Sequence, residues 1–193
     1  MTELAVLIAE TKHHSMLFKQ ILETFESCNS EPKVDFKMDY HSTLPHLQTA
    51  LNELYEVKLN SYDYPESSIE MEICNTETTE TFVKCFNNLQ ELVVNILEQQ
   101  MCINKLDELV QLLSNTPYYQ GEFHHYFWTA GIPNLKFSVT KELEISVTYR
   151  ASNDIYELQI LDSMKDEGVQ TYFQTSELAL DFISTFQAFA LLD

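Results

Sequence analysis

The chain reads as an α+β protein: a helix-rich N-terminal part with one long heptad-patterned helix, then an antiparallel β-meander and a C-terminal helix. Three observations predict this. From Phe82 to Leu113 apolar residues recur at steps of three and four, the spacing of one helix face. From Pro117 onward the period falls to two, as in half-buried strands. All three glycines, Gly121, Gly131 and Gly168, lie after position 120, among the segments that need tight turns. The parts divide as a mainly helical 1–116 and a sheet with C-terminal helix, 117–193. No internal repeat or low-complexity linker is evident, which leaves a shared core open.

The first segment holds Leu4, Leu7, Phe18, Ile21 and Phe25 at helical spacing, although LAVLIA also suits a strand before a helix starting near Ser15. KVDFKMDY and SIEMEI alternate strictly and predict short strands or extended connectors. Leu44, Leu47, Leu51 and Leu54, behind Ser42-Thr43 and Pro45, predict a helix from about Thr43 to Leu59. The long helix carries Phe82, Cys85, Leu89, Leu92, Ile96, Gln99, Ile103, Leu106, Val110 and Leu113 on one seam. Thr78 or Thr79 would cap its start, and Asn115 and Pro117 would end it. That seam suits either a two-stranded coiled coil or the packing of a central bundle helix. Phe86, Val93 and Leu97 widen it in the direction of a core. Next come EFHHYFWTA, LKFSV, LEISVTY, IYELQIL and VQTYF. These alternating runs are separated at Gly131-Ile132-Pro133, Ala151 to Asp154 and Lys165 to Gly168, as in a meander. Thr175 or Ser176 then caps a helix carrying Leu178, Phe182, Phe186 and Phe189.

Composition narrows the function. Thirty acids against eleven bases give a formal charge of −19 on 193 residues that are 45% hydrophobic. With 12 Phe and 10 Tyr the chain is too aromatic for a disordered acidic tail, so the charge belongs to a folded surface. Such a field disfavours nucleic acid and anionic membrane and favours cationic partners; ten of the eleven bases are Lys, leaving Arg150 as the one arginine. Cys28, Cys74, Cys85 and Cys102 form no CxxC pair and read as reduced core thiols of a cytoplasmic protein. The N-terminus lacks the basic residue and cleavage site of a signal peptide, and no apolar run reaches the ~18 residues of a membrane span, so a soluble chain is expected. The first 120 residues lack the glycines of a phosphate-binding loop, and no cofactor is expected.

Chemistry-bearing groups are scattered. His13-His14, His41, His46 and His124-His125 lack ligand spacing, since adjacent residues diverge on a helix and oppose on a strand. No catalytic residue or metal site is assigned. Between Leu59 and Val83 the chain places Asp63, Glu66, Glu70, Glu72, Glu77 and Glu80 with no Lys or Arg, a candidate partner surface. In TPYYQGEFHHYFW, Tyr118, Tyr126 and Trp128 are candidate apolar anchors, His124, Tyr126 and Trp128 sharing one strand face. Leu89, Leu92, Ile96, Gln99, Ile103, Leu106 and Val110 are candidates for dimerisation or helix packing.

Three readings follow. The first is a non-catalytic acidic protein that binds and blocks a basic partner, a nucleic-acid enzyme by charge. In composition the chain resembles phage anti-CRISPR proteins, DNA mimics and nuclease immunity proteins, a likeness that extends to no motif. The second is an adaptor, chaperone or structural subunit acting through its long helix, with a homodimer as one form. The third is an enzyme or small-molecule binder using the aromatic-His strand as a pocket wall.

Overall fold

The computed structural model describes residues 3–28, 35–39, 46–62, 68–77, 80–116, 124–129, 131–140, 142–162, 164 and 167–190. The protein is α+β, with three helices and two five-stranded antiparallel sheets among the described residues. It divides into two compact units, Met1–Gln100 and Met101–Asp193. The cut falls inside a helix, sixteen residues before the expected change at 116, and the part expected to be mainly helical contains a full sheet of its own.

Unit 1 opens with α1 (Glu3–Ser27), one helix that includes LAVLIA. A meander follows in sheet order β1-β2-β3-β4-β5: β1 (Lys37–Asp39), β2 (His46–Ala50), β3 (Tyr55–Tyr62), β4 (Ser68–Asn75) and β5 (Thr81–Phe86). KVDFKMDY and SIEMEI supply β1 and β4, as their alternation predicts. The helix expected over Thr43–Leu59 is instead, from His46 onward, β2, a turn and β3; Thr43 to Pro45 lie outside the described residues. Leu47 and Leu51 are spaced for a helix, but Leu47, Thr49, Tyr55, Val57 and Leu59 all point into the core at strand period. Asn52 makes the turn that separates the strands, its Oδ1 accepting from the backbone N–H groups of Leu54 and Tyr55, each at 2.9 Å.

The next helix, α2 (Leu89–Ser114), is shorter at its start than the seam implied. Phe82 and Cys85 belong to β5, and Asn88 rather than Thr78 or Thr79 is the cap, its Oδ1 accepting from Gln90 N at 2.8 Å. Thr78 and Thr79 lie outside the described residues. A strand whose apolar residues happen to continue the helix spacing hid the boundary.

Unit 2 holds the later residues of α2 and the meander β10-β9-β8-β7-β6, namely β6 (His124–Thr129), β7 (Ile132–Ser138), β8 (Leu143–Arg150), β9 (Ile155–Asp162) and β10 (Glu167–Phe173), then α3 (Ser176–Ala190). These are the five runs read as a meander, although Ile132 and Pro133 already belong to β7. Gly131 takes φ 79° between β6 and β7, a backbone region open to glycine at little cost. Thr175 Oγ1 caps α3 by accepting from Leu178 N at 3.3 Å.

The two units repeat one plan, which corrects the expectation of no internal repeat. Residues about 88 apart do the same work. Leu51 N and Asn52 N donate to Tyr55 O at 2.8 and 3.4 Å; Val139 N and Thr140 N donate to Leu143 O at 2.8 and 3.3 Å. Thr140 Oγ1 accepts from Glu142 N and Leu143 N, standing where Asn52 stands. His14 on α1 and Ser61 on β3 share a buried hydrogen bond, and Cys102 on α2 donates to the Tyr149 carbonyl on β8 at 3.4 Å. Phe18 and Ile21 of α1 match Leu106 and Leu109 of α2, all fully buried. Leu92 and Ile96 of α2 match Ala179 and Ile183 of α3 in the same way. Each unit is therefore helix, five-stranded meander, helix, and α2 supplies the closing helix of the first and the opening helix of the second.

Candidate functional site

The acidic run is built around β4. Ile69, Met71 and Ile73 bury one face of this strand, so Glu70, Glu72 and Cys74 stand on the other, half-buried. Register places Asn60 opposite Glu70, Lys58 opposite Glu72 and Glu56 opposite Cys74 on β3. The contact from Asn60 Nδ2 to Glu70 Oε1 is long, at 3.5 Å. Three carboxylates thus share a sheet face with one lysine between them. Cys74 beside them has its thiol pushed up to about 11, first by burial and then by the charge and hydrogen bond of Glu72. At the end of the strand Glu77 and Glu80 are exposed, in a turn where Glu77 N donates to Asn75 Oδ1 at 2.8 Å. Asp63 and Glu66 lie outside the described residues. Four of the six predicted acids are therefore placed, on one strand and its following turn.

Beside this face Asp35, Lys37, Gln48, Thr49, Ala50 and Glu56 line an open cleft of 340 Å³. Thr49 Oγ1 holds its wall by donating to the Asp35 carbonyl at 2.8 Å. Two carboxylates and one ammonium give the cleft a mildly acidic lining suited to a cationic side chain.

Unit 2 carries a polar cluster that sequence reading missed. Tyr156 and Leu158 are buried on the helix-facing side of β9, so Glu157 points to the opposite face. Its side chain is only 7% exposed, and its carboxylate accepts from Arg150 Nε at 2.7 Å, Gln170 Nε2 at 2.7 Å and Gln159 Nε2 at 3.2 Å. The Arg150 hydrogen bond is the main reason Glu157 stays ionised to lower pH than an ordinary glutamate, with the two amides adding to it against burial. Gln170 also donates to the Tyr172 hydroxyl at 2.8 Å. The signal was present in LEISVTYR and IYELQIL: a four-residue turn at 151–154 fixes the register, placing Arg150 diagonal to Glu157 on one face.

On the inner side of that sheet, Tyr156 donates to the Lys105 carbonyl at 3.2 Å, and burial followed by the Glu108 charge pushes its phenol up to about 12. Tyr149 is raised as well, by burial and then by its hydrogen bond to Asp154. Both phenols stay neutral throughout the physiological range.

The other candidates fall as follows. Tyr126 and Trp128 occupy β6 in register with Leu135 and Pro133, and Tyr118 lies outside the described residues. Leu92, Ile96, Gln99, Ile103 and Leu106 are buried within the single chain, while Leu89 and Val110 are half-buried. The α2 seam therefore packs the chain's own fold, and a second copy would reach it only by exposing core. Of the four cysteines, all free, only Cys102 is buried; Cys28 and Cys74 are half-buried and Cys85 is exposed, which corrects their reading as core thiols. Among the described residues no helix is long and apolar enough to cross a membrane. Comparison with protein-family models, with curated proteins and with solved structures finds no match to this chain.

Proposed function

We propose that the protein acts without catalysis, by binding a cationic, nucleic-acid-handling protein partner through its acid-bearing surfaces and blocking it. One observation carries this reading: the acid excess is spread over both folded units, with seventeen acids against six bases in residues 1–100 and thirteen against five in residues 101–193. Eleven bases can offset the charge of at most eleven of thirty acids, so a net −19 remains whatever the side-chain geometry. Charge of that size on rigid strands and turns steers a basic surface in quickly and stands in for the phosphates it normally meets. The face of Glu56, Glu70 and Glu72, with Glu77 and Glu80 in the adjoining turn, is the proposed first contact.

The test is capture from lysate on the tagged full chain, with washes of rising salt, followed by a variant in which Asp63, Glu66, Glu70, Glu72, Glu77 and Glu80 become Asn or Gln. A basic nucleic-acid enzyme should elute as salt rises, and the variant should associate about tenfold more slowly with a shallower salt dependence. Capture that ignores salt, or that the six changes leave intact, would remove these acids from the interface.

A further inference from the structure

We propose that β10 pairs edge to edge with β10 of a second copy of this chain, joining two unit 2 sheets antiparallel into one. The argument begins with how sheet edges are guarded. An edge strand presents unpaired N–H and C=O groups, and proteins that must stay single protect it with a charge, a proline or a very short strand. In this chain β1 is three residues long and carries Lys37 and Asp39; β5 has Lys84 in its middle, exposed. β6 carries two histidines. β10 has no such protection. After Glu167 the run Gly168 to Ser176 contains no charged residue and no proline, and Val-Gln-Thr-Tyr-Phe favours extended structure.

The side chains along this edge are also unusually open. Val169 is 63% and Tyr172 56% exposed, and the neighbouring Leu161 and Met164 are exposed as well. Charge then selects the occupant. A cationic partner gains nothing on an uncharged strip of a protein that carries −19 elsewhere, whereas a second copy, itself at −19, can approach closely only where neither chain presents a carboxylate. Antiparallel pairing centred on Thr171 satisfies this. It sets Val169 against Phe173 and Gln170 against Tyr172 of the other copy, and Glu167 against Thr175 rather than against its own twin. The inference is independent of the proposed function, and salt separates the two. Screening relieves repulsion between like-charged copies, so self-association tightens as salt rises, while capture of a cationic partner weakens.

Sedimentation of the full chain over a concentration series, at about 0.05 M and about 0.5 M salt, tests this. A reversible dimer is expected, tighter at the higher salt. Val169→Lys, which guards the edge, should weaken it by about tenfold or more while the melting curve stays that of the parent. As an independent readout, Thr171→Cys, the one position this register sets against its own twin, in a chain with Cys28, Cys74 and Cys85 changed to Ser, should yield a covalent dimer on mild oxidation, since paired Cα atoms at about 4.5–5.5 Å lie within disulfide reach. A monomer at every concentration, a dimer that loosens with salt, a dimer indifferent to Val169→Lys, or no crosslink at Thr171→Cys would overturn the proposal. If Val169→Lys fails to fold, the crosslink decides.

Discussion

Glu157 concentrates the most interaction on the fewest atoms. Its carboxylate takes three donors, one from the only arginine, and it is almost out of water while the Arg150 side chain is 38% exposed. A carboxylate whose folded pKa lies below its unfolded value adds stability above the unfolded value, near 4.3, and loses that contribution as pH falls through the folded one. Glu157→Gln should therefore lower stability by about 1–2 kcal/mol near neutrality, less than a fully buried pair would lose because Arg150 is partly solvated. The difference from the parent should hold from about pH 8 to about pH 5 and close below about pH 4, which melting curves across that range would read. A gap that widens on acidification would contradict the assignment.

The cysteines give a second check on local environment. Alkylation at neutral pH, followed by mass spectrometry of the peptides, should mark the exposed Cys85 early and Cys74 slowly. Cys74 is half-buried beside Glu72 and keeps its proton to about pH 11. Equal rates would mean that Glu72 does not press on that thiol.

Helices and strands differ in how openly the chain declares them. The meander of unit 2 was readable because its runs alternate cleanly and its turns are marked by Gly131, by Asn153-Asp154 and by Gly168. Unit 1 hides its sheet. Leu44, Leu47, Leu51 and Leu54 sit at helix spacing, yet Leu47 and Leu51 flank a strand and its exit, and one asparagine, Asn52, makes the turn without a glycine. Phe82 and Cys85 extended the seam of α2 backward into β5 for the same reason, since a strand of six residues can meet a three-and-four pattern by chance. Asn88 is the true start of α2. Its Oδ1 takes Gln90 N at 2.8 Å and Glu91 N at 3.4 Å, and Glu91 lies in the first turn where the helix dipole favours an acid. Asn88→Ala should cost about 0.5–2 kcal/mol, measured by urea unfolding, and Asn88→Asp should restore most of it. Two equally destabilised variants would point to a packing role for Asn88 instead of a cap.

Taken whole, the chain is one architectural sentence written twice in different words. A minority of residues match at the repeat spacing, densest in the two opening helices, where Glu3, Leu4, Val6, Ile8 and Glu10 recur as Glu91, Leu92, Val94, Ile96 and Glu98; Pro45 with Pro133, Leu47 with Leu135, Glu70 with Glu157, Ile73 with Ile160 and Phe86 with Phe173 are among the others. What persists is register, turn hydrogen bonds and which positions are buried, and none of these is visible to a comparison of letters. The copies have also diverged where their polar sheet faces are concerned. Glu70 is half-exposed beside Asn60 and Glu72, while Glu157 is closed in by Arg150 and two glutamines. The proposed contact surface is placed on unit 1 because its sheet-face carboxylates are more exposed than Glu157. The acidic run itself was readable from sequence, but the neutralised face of unit 2 was not, because it depends on a diagonal pair across a turn.

The order of assembly follows from the position of the unit boundary. Every strand pairing in both sheets joins neighbours along the chain, the kind of contact that forms with little loss of loop entropy. Unit 1 ends at Gln100, so all the strands it needs have been made before the first strand of the second sheet is translated. At about 5–20 residues per second the remaining chain takes on the order of ten seconds to appear, long compared with the folding of a meander. A ribosome making the second sheet would thus hold a nascent chain that already bears the carboxylates of its first.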